Sequence, residues 1–307
     1  MRWRPSISAG LLLIAVAACG QDPAPAQSSE PPAPTGAPGE TVTVDVADRP
    51  FRLHIPESYD PATPAPLVVL LHGFTSSSTE QEAYFQLGPE SDQRGFLYAL
   101  PEGTEDPDGE QFWNATDACC DFHRSEVDDA GYLRSLIETV SASYPVDASR
   151  VYLVGHSNGG FMAHRFACEH ADVVTAIVSL AGAATNDPAE CAPARPVSVL
   201  QVHGTNDTVI PFDGGANFGR PFPSVDGTLA LWREHNGCAE EPETGEPLDL
   251  DSTIEGAETT VTSYLTGCRD GSRVELWTIE GGSHVPRLTE DWAPAIMDFL
   301  YAQTAPA

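Results

Sequence analysis

RVYLVGHSNGGFMAHRFACEH, residues 150–170, is the stretch of sequence that decides the fold. The apolar run VYLV leads into a Gly-x-Ser-x-Gly turn centred on Ser157, and a helix-like segment follows at once. This order of strand, sharp turn and helix raises a serine hydroxyl above the edge of a sheet. Gly155 and Gly159 suit the turn because a β-carbon at either position would collide with neighbouring backbone. The stretch therefore predicts a strand–turn–helix unit in which Ser157 is a candidate nucleophile.

Strands and helices alternate along the rest of the chain. Short apolar, β-branched runs predict strands at TVTVDV, FRLHI, PLVVLLHG, FLYALPEG, TAIVSLAG, PVSVLQVHG and RVELWTI. Apolar residues at helical spacing predict helices within residues 79–94, 125–144, 226–236 and 289–302. Five consecutive apolar residues in PLVVLLHG indicate a strand buried on both faces. Together these patterns predict one α/β domain over residues 41–305, with a mostly parallel central sheet and helices on both faces.

The first 40 residues have the composition of an export signal followed by a tether. Two arginines and a short apolar run end in VAAC, which resembles the lipobox of bacterial lipoproteins. We therefore expect residues 1–18 to be a lipoprotein signal peptide and Cys19 to be lipidated. Residues 19–40 are rich in proline and alanine and predict a disordered tether. The alternatives are a soluble secreted protein cleaved nearby, or an uncleaved membrane helix, for which the apolar run is short.

The charge balance excludes one class of partner. The chain carries 45 acidic residues against 15 basic ones, and its formal net charge is −30. Nucleic-acid binding needs a basic face that displaces counterions, so nucleic acid is not an expected partner. Contact with a membrane is expected only through the N-terminal lipid.

The cysteine count predicts disulfides. Six of the seven cysteines follow Cys19, and an even number in an exported chain favours three bridges. These six are Cys119, Cys120, Cys168, Cys191, Cys238 and Cys268. A pair of Cys238 with Cys268 would close an acidic loop and stabilise the fold by about 3 kcal/mol. The other four are then expected to pair as Cys119 and Cys120 with Cys168 and Cys191, in some order. A zinc site is disfavoured because no C-x-x-C occurs.

Two later loops offer the partners that a serine nucleophile needs. A histidine must take the hydroxyl proton, and an acid must orient that histidine. Asp207 follows the strand PVSVLQVHG, and His284 follows RVELWTI in the loop EGGSHVP. The order Ser157, Asp207, His284 is that of a triad on an α/β-hydrolase scaffold. The competing bases are His156, His203 and His235.

Acyl transfer also requires backbone donors for the developing oxyanion. One expected donor is the N–H of Asn158, the residue after the nucleophile. The other is the N–H of Phe74, because Gly73 lets the chain turn after PLVVLLHG; Thr75 is the next candidate.

Several motifs together resemble one family of enzymes. They are LLHGF, FWNATDACC, VDDAGYL, RVYLVGHSNGGFMA, HGTNDTVIPFDGG, NGC and GGSHVP. Over about residues 50–300 the chain resembles the secreted α/β-hydrolase esterases grouped with polyhydroxybutyrate depolymerases and with feruloyl or acetylxylan esterases. The resemblance implies the same triad and supports the pairing of Cys238 with Cys268. Polymer-degrading members often carry a polymer-binding domain, for which this chain shows no room, so small or oligomeric esters are the expected substrates.

Aromatic side chains are the candidates for substrate contact. We expect Trp113, Phe212 and Trp292, with Phe74, to provide apolar and stacking surface for the acyl group. The alternative is that these rings belong to the hydrophobic core.

The sequence thus predicts a serine ester hydrolase that works through an acyl-enzyme, without a metal or organic cofactor. Its expected substrates are feruloyl or acetyl esters of plant polysaccharide, or hydroxyalkanoate oligomers. The alternatives are a surface acyltransferase and a non-catalytic binding protein on a hydrolase scaffold. The expected location is the cell envelope, through the lipid anchor, or the exterior. The sequence is silent on oligomeric state, for which a monomer is the default expectation.

Overall fold

The fold is described from a computed structural model, over residues 1–3, 36–46 and 48–306. The chain divides into two units, Met1–Pro31 and Pro32–Ala307, and the elements below all belong to the second. Cys19, the tether up to residue 35 and the signal peptide beyond residue 3 lie outside the described residues. The N–H of Gly39 donates to the Ile55 carbonyl, so the chain joins the domain just before residue 41. In the three described ranges, no helix has both the length and the apolar character needed to cross a membrane.

The centre of the fold is a ten-stranded sheet. The described strands, in chain order, are β1 (Thr41–Val46), β2 (Arg49–His54), β3 (Ala65–Leu71), β4 (Leu97–Leu100), β5 (Thr104–Glu105), β6 (Gln111–Phe112), β7 (Val146–His156), β8 (Ala176–Leu180), β9 (Ser198–Gly204), β10 (Gly215–Asn217), β11 (Arg220–Phe222), β12 (Glu243–Thr244), β13 (Thr259–Tyr264) and β14 (Val274–Ile279). The sheet order is β1-β2-β4-β3-β7-β8-β9-β14-β13-β12, and the six strands from β4 to β14 run parallel. The carboxyl ends of these six strands therefore meet at one edge.

Helices cover both faces of the sheet, as the sequence predicts. They are α1 (Ser78–Phe85), α2 (Leu87–Arg94), α3 (Asp129–Ser143), α4 (Asn158–Glu169), α5 (Val225–Asn236) and α6 (Trp292–Tyr301). One core cluster includes side chains of α3, α4 and α5, and a second includes side chains of α1, α2 and α6. Alternate residues of β3 contribute to the two clusters, Val69 to the first and Val68 to the second. This two-sided burial explains the unbroken apolar run in β3, and the α/β-hydrolase fold class is confirmed.

Some element boundaries differ from the predictions. The helix expected over residues 79–94 is two helices, because Gln86 adopts a left-handed conformation with φ 55°. Pro89 accounts for the break, since proline lacks the N–H that would bond the Phe85 carbonyl and its ring crowds that group. Strand β13, which pairs antiparallel with β14, was not predicted. Its Thr-rich sequence shows only weak alternation of apolar and polar residues.

Three disulfides are present in the described part of the chain. Cys238 and Cys268 are joined, as the sequence predicts. The expectation for the other four is wrong: Cys168 is joined to Cys191, and Cys119 to its neighbour Cys120. Cys168 lies in the last turn of α4, with 4.7 Å between its Cα atom and that of Cys191, which is within bonding reach. Cys119 and Cys120 are therefore left to bond to each other.

Candidate active site

A tight turn between β7 and α4 carries Ser157. The backbone of Ser157 has φ 53° and ψ −118°, a conformation that costs free energy and persists because its surroundings fix it. A β-carbon on Gly155 would lie 2.2 Å from the Gly159 carbonyl oxygen, and one on Gly159 would lie 2.2 Å from that of Leu71. The two glycines of the motif are therefore required by close backbone approach.

Ser157, His284 and Asp207 form one hydrogen-bonded chain at the carboxyl edge of the sheet. The Ser157 hydroxyl lies 2.9 Å from His284 Nε2, and His284 Nδ1 lies 2.7 Å from Asp207 Oδ2. The carboxylate accepts only, so Nδ1 carries the proton and Nε2 is free to accept from the serine. The Asp207 side chain is fully buried, whereas 13% of the His284 side chain is exposed. The arrangement has the geometry of a nucleophile, a base and an orienting acid.

The surroundings of Asp207 keep its carboxylate charged. Burial alone would raise its pKa, but hydrogen bonds from His203 and His284 outweigh this and hold the pKa well below its usual range. Its second oxygen, Oδ1, accepts the backbone N–H groups of Val209 and Ile210, each at 2.8 Å. The carboxylate therefore persists as an anion that holds His284 in one tautomer.

The structure brings both expected oxyanion donors next to the turn. In the described residues, the N–H groups of Phe74 and Asn158 have no hydrogen-bond partner. The N–H of Thr75, the next candidate, instead donates to the Gln111 carbonyl at 2.8 Å. A β-carbon on Gly73 would lie 3.6 Å from the Ser157 Cβ, so the Phe74 loop passes directly beside the nucleophile. Two backbone N–H groups without a partner in the described residues therefore adjoin Ser157, as a site for an oxyanion requires.

Two side chains beside this loop, those of His72 and Asn158, make supporting contacts that the sequence did not predict. His72 is fully buried, donates from Nδ1 to the Gly73 carbonyl and accepts the Gly103 N–H at Nε2. Burial lowers the pKa of His72 below its ordinary value, so it is neutral near pH 7. The Asn158 side chain bonds both the N–H and the carbonyl of Trp113. The HG motif and the Asn after the nucleophile were visible in the sequence, but these long-range partners were not.

The other histidines are not placed to act as the base. His156 donates from Nε2 to the His284 backbone carbonyl at 3.0 Å, and so supports that loop. His203 is buried below the Asp207 turn and donates to the Ile210 carbonyl at 2.8 Å. His235 lies at the end of α5, near the aromatic ring of Trp232. His284 alone of these hydrogen-bonds Ser157.

Two of the four aromatic residues expected to contact substrate are core residues. Trp113 has no exposed surface, and its Nε1 donates to the His72 carbonyl. Trp292 is 1% exposed and packs against Phe85 in the core below the opposite face of the sheet. The expectation for both tryptophans is therefore corrected, since a buried ring has no surface to offer a ligand. Phe212 is half-buried, with its ring 5.8 Å from that of His203.

A different row of aromatic rings leads outward from the oxyanion loop. Phe74 and Phe122 have ring centroids 5.3 Å apart, and Phe122 and Phe218 have centroids 4.8 Å apart. Phe218 lies at the tip of the β10–β11 hairpin and is 85% exposed. The Asn217 side chain ties this hairpin to the Ala118 carbonyl. We call Phe74, Phe122 and Phe218 the aromatic strip.

One group in the described ranges has metal-ligand geometry. Asp106, Asp108 and His123 each offer one ligand atom, and these atoms lie within 4.8 Å of one another. The group is at the surface, and Asp106 Oδ1 already accepts the backbone N–H groups of Asp108 and Glu110. It contributes no atom to the Ser157 chain of hydrogen bonds.

Two buried histidines predict how stability depends on pH. Burial, reinforced by His284, lowers the pKa of His156 to about 4, and burial lowers that of His164 to about 4. In the unfolded chain these histidines bind a proton near pH 6.5, whereas in the native state they stay neutral down to about pH 4. The free energy of unfolding is therefore expected to fall as pH drops from about 6.5 to 4, by about 1.4 kcal/mol per pH unit for each group. Urea titrations at pH 7.0, 5.5 and 4.5 measure this, and equal values at pH 7.0 and 4.5 would contradict it.

Comparisons with known proteins agree on one family. The family model described as "Putative esterase" matches residues 46–250. The chain is 30% identical over 228 residues to "Feruloyl esterase B" of Piromyces equi, covering 72% of this chain and 39% of that protein. It is 28% identical over 331 residues to "Putative esterase NocK" of Nocardia uniformis subsp. tsuyamanensis, covering 96% and 92% of the two. The chain thus spans about two fifths of the Piromyces protein and nearly all of the Nocardia one.

Solved structures show the same fold. An acetyl xylan esterase from Aspergillus awamori superposes with a TM-score of 0.62 at 16% identity. The superposition covers 86% of this chain and 100% of the esterase chain. A thermostable esterase superposes with a TM-score of 0.53 at 15% identity, and the superposition covers 86% of this chain and 63% of the esterase chain.

Proposed function

The chain belongs to the esterase family whose model matches it, and from this premise we propose that it is a serine carboxylic-ester hydrolase acting through an acyl-enzyme. The observation that carries the proposal is the unbroken chain of hydrogen bonds from Ser157 through His284 to buried Asp207, with distances of 2.9 and 2.7 Å. Two free backbone N–H groups beside the serine add a site for negative charge. A non-catalytic binding protein would have no need of such a fully formed constellation.

The proposed reaction begins with acylation. Ser157 Oγ attacks the ester carbonyl carbon while His284 Nε2 takes its proton. Asp207 stabilises the imidazolium that forms, and the N–H groups of Phe74 and Asn158 bind the carbonyl oxygen as it gains negative charge. His284 then gives the proton to the leaving alcohol, the ester C–O bond breaks, and Ser157 remains acylated.

Deacylation repeats these steps with water. His284 removes a proton from a water molecule, whose oxygen attacks the acyl carbonyl. The tetrahedral intermediate uses the same two N–H donors, and its collapse returns the proton from His284 to Ser157. The residues of this chain supply every proton transfer that the reaction needs.

The surroundings of the site support an ester with an aromatic acid and a polar alcohol. The aromatic strip begins at the oxyanion loop and offers ring faces to a feruloyl group. A cavity of about 680 Å³ has no residue of the triad or the strip in its lining, but two of its lining residues, Asp121 and Arg220, lie one and two positions from Phe122 and Phe218 in the chain. Its other lining residues are mostly polar or charged, including Asn114, Thr116 and Arg165, and suit sugar hydroxyls. We therefore propose feruloyl or acetyl esters of oligosaccharides ahead of hydroxyalkanoate oligomers.

Rates on a panel of esters test this substrate class. The panel consists of p-nitrophenyl acetate, butyrate and octanoate, methyl ferulate, and a 3-hydroxybutyrate oligomer. Phe218→Ala is expected to raise KM for methyl ferulate by about three- to tenfold, because a ring–ring contact is lost, and to leave KM for p-nitrophenyl acetate unchanged. If the ratio of the two KM values is the same in Phe218→Ala and the wild type, the aromatic strip does not bind the substrate. Added acceptor alcohols that divert the acyl group from water would identify a transferase instead.

We further propose that the protein is exported and held at the envelope by a lipid on Cys19. The three disulfides support export, because such bonds persist in oxidising compartments. An anchored enzyme would meet soluble esters more readily than a solid polymer. Metabolic labelling with a clickable palmitate analogue should tag the wild type and not Cys19→Ala, and an untagged wild type would reject the anchor.

A further inference from the structure

A buried row of polar side chains crosses the core and ends at the turn of Asp207. Gln201 and His203 point to one face of β9, where His164 of α4 and Trp232 of α5 pack against them. All four side chains are at most 1% exposed. Buried polar groups are costly unless every member is paired, and apolar residues of similar size would fill this space more cheaply. A fully paired row that ends at the proposed triad therefore calls for a functional reason.

The hydrogen-bond partners fix the direction of every bond in the row. Gln201 Nε2 donates to the Gly182 carbonyl at 2.8 Å, which determines the orientation of the amide. The same nitrogen donates to His203 Nδ1 at 3.0 Å, and Gln201 Oε1 accepts from His164 Nε2 at 3.0 Å. Trp232 Nε1 donates to His164 Nδ1 at 2.9 Å. Both histidines are thus neutral and each is held in a single tautomer.

At the end of the row next to Asp207, these bonds fix the position of the proton on His203. Since its Nδ1 accepts from Gln201, the proton must lie on Nε2, which donates to the Ile210 carbonyl at 2.8 Å and lies 3.4 Å from Asp207 Oδ2. Asp207 Oδ1 holds the N–H of the same Ile210. Ile210, at the end of the turn that begins at Gly204, is therefore held by two side chains. His203 bonds its carbonyl, and Asp207 bonds its N–H.

Backbone bonds hold the start of the turn, because the N–H groups of Thr205 and Asn206 donate to the Ile279 and Gly282 carbonyls at 3.0 and 2.9 Å. The end of the turn, at Ile210, is held by Asp207 and His203. Residues 205, 206, 208 and 209 are exposed, and Val209 has 56% of its surface exposed. Asp207 must nevertheless keep Oδ2 at hydrogen-bond distance from His284, since a displacement of about 1 Å can cost a hundredfold in rate.

From these contacts we propose that His203 is a positioning residue, held in its donor tautomer by Gln201, His164 and Trp232, that sets the Asp207 carboxylate against His284. The inference rests on the proposed function, because Asp207 needs precise placement only if it orients a catalytic base. His203 itself touches no reacting atom; it acts through the Asp207 turn.

Kinetics of His203 variants test the inference. His203→Phe keeps a ring and removes the donor, and it is expected to lower kcat about ten- to a hundredfold with KM within about twofold. His203→Gln retains an N–H near the position of Nε2 and should recover most of that loss. If His203→Phe does not fold, Gln201→Met is the test variant. It removes the donor to His203 Nδ1, so that the proton of His203 is no longer held on Nε2, and kcat should fall.

A matched control separates positioning from stability. Asn236 is a buried amide that bonds the Val197 backbone just before β9, far from the Asp207 turn in sequence. Asn236→Leu should lower Tm and leave kcat unchanged. The inference is overturned if His203→Phe keeps the wild-type kcat while hydrolysis still depends on Ser157, or if Asn236→Leu loses as much kcat as His203→Phe. A wild type without Ser157-dependent hydrolysis would overturn the proposed function, and this inference with it.

Discussion

Replacing Ser157 with alanine is expected to lower kcat for ester hydrolysis by about 10⁵-fold or more, because the proposed acyl-enzyme forms on the Ser157 hydroxyl. The fold should not change, since the Ser157 side chain makes no capping bond to α4. Initial rates on p-nitrophenyl acetate and thermal melts of both proteins measure the two effects.

Ser135→Ala is the matched control for this variant. Ser135 is an exposed serine on α3 whose hydroxyl bonds only the Gly131 carbonyl. It should keep both the wild-type kcat and the wild-type Tm. A Ser157→Ala protein that melts normally and still hydrolyses ester at more than about 1% of the wild-type rate would contradict the nucleophile assignment.

Replacing Asp207 with asparagine is expected to cost about 10⁴-fold in kcat. The amide oxygen can still accept the N–H groups of Val209 and Ile210, but the amide nitrogen would face the Nδ1 proton of His284. His284 would then turn to its other tautomer, with the proton on Nε2, and could no longer accept from Ser157. The loss should therefore appear in kcat while the turn keeps its shape.

The exposed residue Asp213 supplies the control for Asp207→Asn, because Asp213→Asn removes the same charge from a neighbouring loop. It should leave kcat within about twofold of the wild type. A wild-type rate for Asp207→Asn, measured on the same ester, would show that Asp207 does not set the tautomer of His284.

The strand–turn–helix around Ser157 could be predicted because its determinants are local. Gly155 and Gly159 are required by backbone approaches of 2.2 Å, and only glycine permits these. The positions of Asp207 and His284 followed from strand order, since parallel strands bring their carboxyl ends to one edge. The helix break at Gln86 also had a local signal in Pro89, which the periodicity of residues 79–94 obscured.

The residues that support the site could not be predicted in the same way. The roles of His72 and the Asn158 side chain depend on Gly103 and Trp113, which are distant in the chain. The role proposed for His203 depends on a row of bonds that includes His164 and Trp232, from two other elements. The two tryptophans were misassigned for the related reason that hydrophobicity does not distinguish a core position from a binding surface. Cysteine spacing likewise did not show how Cys119, Cys120, Cys168 and Cys191 pair. Tertiary packing decides each of these outcomes.

The central claim is that Ser157 becomes covalently acylated, and mass spectrometry of the labelled protein tests it most directly. Wild type and Ser157→Ala would each be incubated with a fluorophosphonate, digested, and analysed for the modified peptide. One adduct per chain is expected, on Ser157 alone, that accumulates in step with the loss of ester hydrolysis and is absent from Ser157→Ala. Complete loss of hydrolysis with the adduct on another residue, or sustained hydrolysis by a chain fully labelled at Ser157, would contradict it.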